Sequence, residues 1–490
     1  MSICLVYDDR TPVSDDIRAL LGVERFSAVL YRKRSLLDHV RQLMQEADVA
    51  EFIHLSRDAD LDLLRRHAER ASPGARYLYY PSHIVPRRLA DARLFISKIQ
   101  YSRRDLIIPV DDDPGAPAVL LLGERGLRRA LEHLARPDWV RLRRASGRGL
   151  AEVGNAAELS DIASYDRFVE FLSSNFDVRH FNAIEHDGLT IVKRSSDRDK
   201  MRREFRFLSM VEGPVQAFFL RPFDYRDEPD GASYRIERLN VPDMAVQWIH
   251  GALSAPEFGT FLDRIGLFLQ MRSSKEIPRE TFAALTDDLY LNKIASRLDQ
   301  LRAMDGFAPV RALIEHCTGL GSLESLVGRY QGLYRRLDPG RRIAPHLRFT
   351  HGDLCFSNIL YDKRVRQIRF IDPRGADSPD ELLSHPYYDL AKLSHSVLGG
   401  YDLINQNLFE LTFDRDLGLS LETAGPDHSQ HKRVFIERLA TAGADYPVVR
   451  LFEASLFLSM LPLHMDVPKK VAAFVLNASA ILDELENLTG

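Results

Sequence analysis

The stretch LRFTHGDLCFSNILYDKRVRQIRFIDPRG (347–375) is the part of the sequence that decides the fold. A short apolar run leads into His351 and Asp353, Asn358 follows five residues after Asp353, and a second strand-like run ends at Asp372. Any one of these residues alone would be an ordinary polar residue in a loop between strands. All four in this order indicate a site built on two strands and the loops that follow them.

These residue types are the ones that phosphoryl transfer needs. The reaction uses a carboxylate to orient the attacking hydroxyl, and it uses an amide oxygen and a second carboxylate to hold magnesium against the phosphates. Protein kinases place such an Asp and Asn in one loop and a further Asp after the next strand. The spacing here satisfies both conditions.

The form His-Gly-Asp-x-x-x-x-Asn with Ile-Asp downstream resembles the aminoglycoside phosphotransferase and choline kinase superfamily. The element YYDLAKL (387–393) resembles a later motif of the same superfamily. The resemblance covers roughly residues 160 to 490 and implies a bilobal, protein-kinase-like α+β domain. It also implies ATP and Mg²⁺ as cofactors.

The resemblance assigns roles to individual residues. It implies that Asp353 is the catalytic base and that His351 belongs to the same catalytic loop, 351–358. It makes Asn358 and Asp372 the magnesium ligands. Asp389, within the later motif, would brace the loop.

A kinase also needs a small-lobe lysine that holds the ATP phosphates and a helix glutamate that positions it. Lys193 ends a strand-like run, and Glu204 lies in the helix pattern that follows, although a solvated lysine at a strand end would look the same. Asp-Gly at 187–188 predicts a tight hairpin before this strand. Glu237 to Leu239 are the predicted hinge between the lobes, where adenine would pair with the backbone.

Two positions depart from the superfamily pattern. Cys355 and Phe356 stand where many members carry His-Pro, and Cys355 is predicted to be a buried filler. Arg374 follows Asp372 where choline kinases tend to be acidic, which argues against choline. Its guanidinium would suit a phosphate or an anionic substrate group, or it would pair with Asp377 or Asp380.

The first 135 residues alternate strand-like and helix-like runs, which predicts an α/β domain with a Rossmann-like parallel sheet. The predicted strands are Ile3 to Tyr7, Phe26 to Tyr31, Glu51 to Leu55, Arg76 to Tyr80, Leu106 to Val110 and Ala118 to Leu122. Residues 136–160 are predicted to be a linker, 161–248 the kinase small lobe and 249–490 the large helical lobe.

The N-terminal span 32–69 resembles a reduced sugar-nucleotide transferase domain. The Gly-rich signature loop of that family is missing, so activity there is doubtful. Such a fusion resembles proteins of bacterial capsule and surface-polysaccharide synthesis. That analogy supplies only an expected substrate class.

Composition limits the other possibilities. A net charge of −4 gives no electrostatic case for nucleic acid, and three scattered cysteines do not make a disulfide framework. The apolar run Leu451 to Leu463 contains Glu453 and Pro462, so it is predicted to be a buried helix with no membrane insertion. A cytoplasmic location fits, because no signal peptide is predicted at the start.

The sequence therefore predicts an ATP-dependent kinase that phosphorylates a hydroxyl of a sugar, polyol or amino alcohol. Its partners would be ATP and a small hydroxylated metabolite. One alternative is a pseudokinase that binds nucleotide as a scaffold, and another is a bifunctional kinase and nucleotidyltransferase. The acceptor and the oligomeric state stay open.

Overall fold

A computed structural model of the chain describes most of its 490 residues. The described ranges are 3–31, 34–46, 49, 51–70, 74–86, 96–99, 101–134, 138–145, 150–154, 159–173, 182–186, 189–316, 321–416 and 418–489. The chain forms two compact units, Met1–Asn175 and Phe176–Gly490.

The first unit contains ten strands and six helices among its described residues. The strands β1 to β10 are Ile3–Asp8, Leu30–Tyr31, Arg34–Ser35, Glu51–Leu55, Arg76–Pro81, Ile84–Pro86, Asp105–Pro109, Ala118–Gly123, Leu150–Glu152 and Leu159–Asp161. The helices α1 to α6 are Asp15–Leu21, Leu36–Glu46, Asp60–Arg70, Glu124–Leu134, Trp139–Ala145 and Tyr165–Ser173.

Six strands form one sheet in the order β4-β1-β5-β8-β7-β9. β1 is parallel to β4 and β5, and β9 is parallel to β7, but β8 is antiparallel to both of its neighbours. Alternate side chains of β1 enter two separate cores, with Leu5 on one face and Val6 on the other. The predicted α/β layer is present, and its sheet is mixed rather than parallel.

Two local predictions in this unit need correction. The predicted strand Phe26 to Tyr31 is a 3₁₀ turn at Phe26–Ala28 followed by the two-residue β2. The predicted linker 136–160 contains α5, β9 paired with β7, and the start of β10, which pairs with β6. The division between the units therefore lies at Asn175, later than the predicted small-lobe start at 161.

The second unit begins with a small lobe of four antiparallel strands and one helix. The strands β11 to β14 are Asn182–His186, Thr190–Ser195, Pro222–Glu228 and Gly231–Glu237, in the order β11-β12-β14-β13. Helix α7, Arg198–Met210, begins at Asp197, whose carboxylate accepts from the backbone N–H of Lys200 at 3.0 Å. The predicted hairpin turn at 187–188 lies outside the described residues.

The large lobe is mostly helical in its described part. Helices α8 to α19 are Met244–Ile249, Ala255–Met271, Arg279–Asp287, Lys293–Arg302, Phe307–His316, Leu323–Leu337, Pro339–Arg342, Tyr388–Val397, Tyr401–Asn405, Ser429–Thr441, Tyr446–Met460 and Pro468–Thr489. A π-helical turn, Asp288–Asn292, joins α10 to α11. A small strand-rich lobe is thus followed by a large helical lobe, in the order that the sequence predicted.

Short strands carry the polar loops of the large lobe. They are β15 to β21, Ser274–Glu276, His346–Phe349, Ile359–Asp362, Gln367–Phe370, Leu383–Ser384, Phe409–Phe413 and Leu419–Thr423. Among them, β16 delivers the loop that starts at His351, and the hairpin of β17 and β18 delivers Asp372. The deciding stretch of sequence therefore forms two strand ends that open towards the small lobe.

Helix α18 is the apolar segment that the sequence predicted to be buried. By length and composition, the described segment Tyr446–His464 could cross a membrane, but 78% of its apolar window is buried inside the protein. Val448, Phe452 and Phe457 belong to the core of the large lobe. The predicted buried helix is confirmed.

Candidate active site

A series of ionic contacts joins the two lobes. Its members are Glu204, Lys193 and Asp372. The ammonium of Lys193 lies 2.5 Å from Oε2 of Glu204 and 2.8 Å from Oδ1 of Asp372. Lys193 is on β12 and Glu204 on the inner face of α7, and both side chains are buried. The structure thus brings together the lysine and glutamate that the sequence paired, and it adds Asp372 to them.

These ionic contacts determine the protonation states of Lys193 and Asp372. Burial opposes the charged form of Lys193, but the attraction of Asp372 and Glu204 outweighs it and raises the pKa of Lys193 well above its ordinary value. Partial desolvation opposes the charged form of Asp372, but Lys193 outweighs it and lowers the pKa of Asp372. Lys193 is therefore a cation and Asp372 an anion throughout the neutral pH range.

Asp372 is available to a metal ion as well as to Lys193. About half of its side chain, 51%, is exposed, and its backbone has a left-handed φ of 55°. Asn358 lies beside the residue that precedes Asp372. Its backbone carbonyl accepts from the N–H of Ile371 at 3.1 Å. A carboxylate and an amide oxygen at one place form a donor set that suits Mg²⁺.

Asp353 and Asn358 contact each other directly. The amide nitrogen of Asn358 donates to the backbone carbonyl of Asp353 at 2.8 Å and to its Oδ2 at 3.1 Å. These bonds use the amide N–H groups and leave the amide oxygen of Asn358 for another ligand. The side chain of Asp353 is 44% exposed, so a hydroxyl can reach it.

Lys392 is a member of the site that the sequence reasoning missed. Its ammonium lies 2.8 Å from Oδ1 of Asp353, and the attraction raises the pKa of Lys392 although burial opposes it. A signal for it was present, since Lys392 follows Asp389 by three residues and shares its face of α15. If Asp389 braces the loop, Lys392 must lie beside that loop.

Asp389 holds the backbone of the loop. Its carboxylate accepts from the N–H of His351 at 3.1 Å and from the N–H of Gly352 at 3.0 Å. The buried Arg272 lies 3.3 Å from the same carboxylate and compensates its charge. Asp389 therefore fixes the backbone at the start of the loop.

His351 is a positioning residue, which corrects its grouping with the catalytic residues. Its ring is fully buried, with Nε2 3.0 Å from the carbonyl oxygen of Ile371 and Nδ1 accepting from the N–H of Asp353 at 3.2 Å. Burial lowers the pKa of His351, so the ring is neutral. It joins the loop of Asp353 to the strand of Asp372 and is out of reach of a substrate.

Arg374 does not form the ion pair with Asp377 or Asp380 that was one of its two predicted roles. Its guanidinium donates to the carbonyl of Glu381 at 2.6 Å and to the hydroxyl of Ser384 at 3.4 Å. Its predicted partners are engaged elsewhere, Asp377 by Arg203 at 2.5 Å and Asp380 by Lys275 at 2.7 Å. Arg374 therefore stabilises the loop that follows Asp372.

Gly375 lets helix α7 pass close to this loop. A Cβ at Gly375 would lie 2.5 Å from the Cβ of Arg203 and 3.0 Å from its carbonyl carbon. The carbonyl of Arg203 accepts from the N–H of Ala376 at 3.0 Å, and its guanidinium lies 2.7 Å from Glu381. The small residue after Arg374 is required by this close contact.

The predicted hinge, Glu237 to Leu239, lies at the end of β14 and before α8. Glu237 is the exposed last residue of β14, and Leu239 packs partly against the core of the lobe interface. The segment then reaches α8, and the carbonyl of Pro242 accepts from the N–H of Tyr361 at 3.2 Å. Adenine pairing at Glu237 and Leu239 stays a prediction.

Two buried groups lie behind the catalytic loop. Burial raises the pKa of the Cys355 thiol, as expected of an inert filler. Burial also raises the pKa of Asp402 to about 7, and among the described residues its Oδ2 has no hydrogen-bond partner.

A separate cavity of about 600 Å³ lies between Trp248, Lys432 and Asn477, and its lining includes none of the predicted site residues.

Comparisons with known proteins give structural similarity alone. No protein-family model matches the chain, and no curated protein matches it. A thermostable mutant of the aminoglycoside phosphotransferase APH(4)-Ia is 13% identical over 61% of this chain and 89% of its own, with a TM-score of 0.39. APH(3'')-Id from Streptomyces rimosus is 19% identical over 58% and 89%, with a TM-score of 0.33.

A third solved structure is that of spectinomycin phosphotransferase APH(9)-Ia in complex with ADP and spectinomycin. It is 11% identical over 62% of this chain and 90% of its own, with a TM-score of 0.32. Each of the three is a protein to which part of this chain is similar.

Proposed function

We propose that the second unit is an ATP-dependent, magnesium-dependent kinase that phosphorylates a hydroxyl of a small molecule. The observation that carries this proposal is the ionic chain from Glu204 through Lys193 to Asp372. It links the two lobes at the place where Asp353 and Asn358 are in contact. A lysine, a metal-binding carboxylate and a base carboxylate at one interlobe cleft are the parts that phosphoryl transfer requires.

Each residue has a physical task in this reaction. Lys193 binds phosphate oxygens and offsets their charge, and Glu204 and the fold around it keep its ammonium in place. Asn358 and Asp372 hold Mg²⁺, which supplies further positive charge against the phosphates. Asp353 accepts a hydrogen bond from the acceptor hydroxyl and aligns it for attack. Asp389 and His351 hold the backbone that presents Asp353.

We place the reaction in the cytoplasm and the acceptor among sugars, polyols and amino alcohols. A role in capsule or surface-polysaccharide precursor synthesis is part of this proposal and follows from the resemblance of the whole fusion. The first unit then serves as a degenerate transferase-like domain. The test of its activity is pyrophosphate release by the full chain from nucleoside triphosphates and sugar phosphates, which should be absent.

The test of the kinase proposal has two steps on the full chain. ATP binding is measured by calorimetry with Mg²⁺ and with EDTA, and ADP release is then followed across a panel of hydroxylated metabolites. We expect magnesium-dependent binding and at least one accepted alcohol. Binding without turnover on any alcohol would favour the pseudokinase alternative, and no binding at all would end the kinase proposal.

A further inference from the structure

Beside Asp353, the large lobe presents a row of positive and hydroxyl groups. Tyr388 and Lys392 are four residues apart on α15 and therefore lie on the same face of that helix. Lys392 contacts Asp353 at one end of the row. At the other end, the ammonium of Lys293 donates to the hydroxyl of Tyr388 at 3.2 Å and lies 5.6 Å from the centre of its ring.

Part of the positive charge in this row has no ion-pair partner within the described part of the chain. Lys392 is paired with Asp353, but Lys293 has no ion-pair partner among the residues that the structure describes. Lys293 and Lys392 together lower the pKa of Tyr388, against the opposite effect of its burial. Next to the paired Asp353 and Lys392, one half-buried cation is therefore left in surplus at this side of the site.

The backbone before Lys293 adds a second observation. Lys293 is the first residue after the π-helical turn Asp288–Asn292. Such turns are uncommon and occur frequently at functional sites. The turn is held by packing, since Tyr290 is buried and stacks on Phe452 with ring centres 3.5 Å apart. The position of Lys293 is thus fixed by the core.

We propose that the acceptor carries an anionic group, a phosphate or a carboxylate, that binds to Lys293 and the hydroxyl of Tyr388 while its own hydroxyl lies at Asp353. This inference rests on the proposed kinase function and narrows its acceptor class. The sequence left an anion-binding role open for Arg374, and this inference assigns that role to Lys293 and Tyr388, because the guanidinium of Arg374 already donates to Glu381 and Ser384.

A purely structural role for Lys293 is the competing explanation. A lysine over an aromatic ring contributes about 0.5–1 kcal/mol at an exposed position without any ligand. The chain offers a matched control, because the ammonium of Lys469 lies 4.7 Å from the ring centre of Phe409, in a different part of the large lobe. A structural role predicts the same small effect for both lysines.

The test uses three matched probes, glycerol, glycerol 3-phosphate and glycerate. Binding of each to the full chain, loaded with Mg²⁺ and the non-hydrolysable analogue AMP-PNP, is measured by calorimetry. We expect both anions to bind at least tenfold more tightly than glycerol. Lys293→Met should abolish that preference, Lys293→Arg should retain most of it, and Lys469→Met should leave it unchanged.

The outcomes separate this inference from the kinase proposal. If the wild-type chain does not bind AMP-PNP, the proposed kinase function itself is contradicted. Normal AMP-PNP binding with no preference for the anionic probes would overturn the anionic acceptor alone. An equal loss of preference in the Lys293→Met and Lys469→Met chains would also overturn it. If only glycerol 3-phosphate binds more tightly than glycerol, the anionic group of the acceptor is a phosphate. If only glycerate does, it is a carboxylate.

Discussion

Lys392 and Asp353 form an ion pair with 2.8 Å between Nζ and Oδ1, and both side chains keep some exposure to solvent. The pair joins α15 to the loop that carries the proposed base. A cation at this distance favours the ionised form of a carboxylate. Asp353 is thereby kept as an acceptor for the proton of a substrate hydroxyl.

Lys392→Met should lower ADP release about tenfold and move the acid limb of its pH profile to higher pH, because the carboxylate loses the cation that favours its ionised form. ADP release between pH 5 and pH 9 measures both effects. Lys392→Arg should restore most of the rate. A slower variant with an unmoved acid limb would contradict the assigned role.

Asp353→Asn should leave folding and Mg·ATP binding nearly intact and lower turnover by about 10²–10⁴, which is the range for loss of a positioned base. Thermal unfolding, calorimetry and ADP release separate the three quantities. An Asn variant that turns over at the wild-type rate would remove Asp353 from the chemistry.

Asp372→Asn should weaken ATP binding in the presence of Mg²⁺ and change it little in EDTA. Asn is the suitable substitute because it tolerates the left-handed φ of 55°, whereas Ala would add backbone strain. Calorimetry at several Mg²⁺ concentrations gives the result. Unchanged magnesium dependence would show that Asp372 is not a ligand.

The pKa of Asp402, raised to about 7 by burial, makes stability depend on pH. The folded chain keeps this proton up to about pH 7, whereas the unfolded chain loses it near the ordinary value of 3.8, so the free energy of unfolding falls between these values as pH rises. Asp402→Asn should be close to wild type near pH 4 and more stable by roughly 4 kcal/mol at pH 8.

Urea unfolding at both pH values measures this difference. Asp466→Asn, at an exposed position, is the control and should show little dependence on pH. Equal stability of Asp402→Asn and wild type at pH 8 would contradict the prediction.

Gly375→Ala should cost about 1–3 kcal/mol of stability and weaken Mg·ATP binding, because the new methyl group would overlap Arg203 and push α7 away. Gly332→Ala is the control, since it lies within a helix and no atom lies within 4 Å of the added Cβ. Thermal unfolding with and without nucleotide checks both variants. A Gly375→Ala chain as stable as Gly332→Ala would be the contrary result.

The parts of the site that could be predicted are those encoded by short spacings. Asp353, Asn358 and Asp372 lie in one segment, and Lys193 and Glu204 in consecutive elements, so local pattern sufficed. Lys293 comes from a different helix and carries no motif. The orientation of the Arg374 side chain depends on the position of the Glu381 carbonyl, to which it donates. The spacing of residues in the sequence does not predict that position.

The N-terminal sheet shows a signal that was present and not used. Only residues 110–117 separate β7 from β8, and parallel strands need a crossover of about a dozen residues or more. The strands therefore had to be antiparallel, as they are. Hydrophobic pattern identified most of these strands correctly, whereas connection length determined their direction.

Helix α7 belongs to the small lobe in chain order, yet Arg203 ties it to the large lobe through Ala376, Asp377 and Glu381. Tyr234 of β14 holds the opposite side of the same helix, because its hydroxyl donates to Glu204 at 3.2 Å. A substitution that displaces α7 is therefore expected to disturb both lobes together.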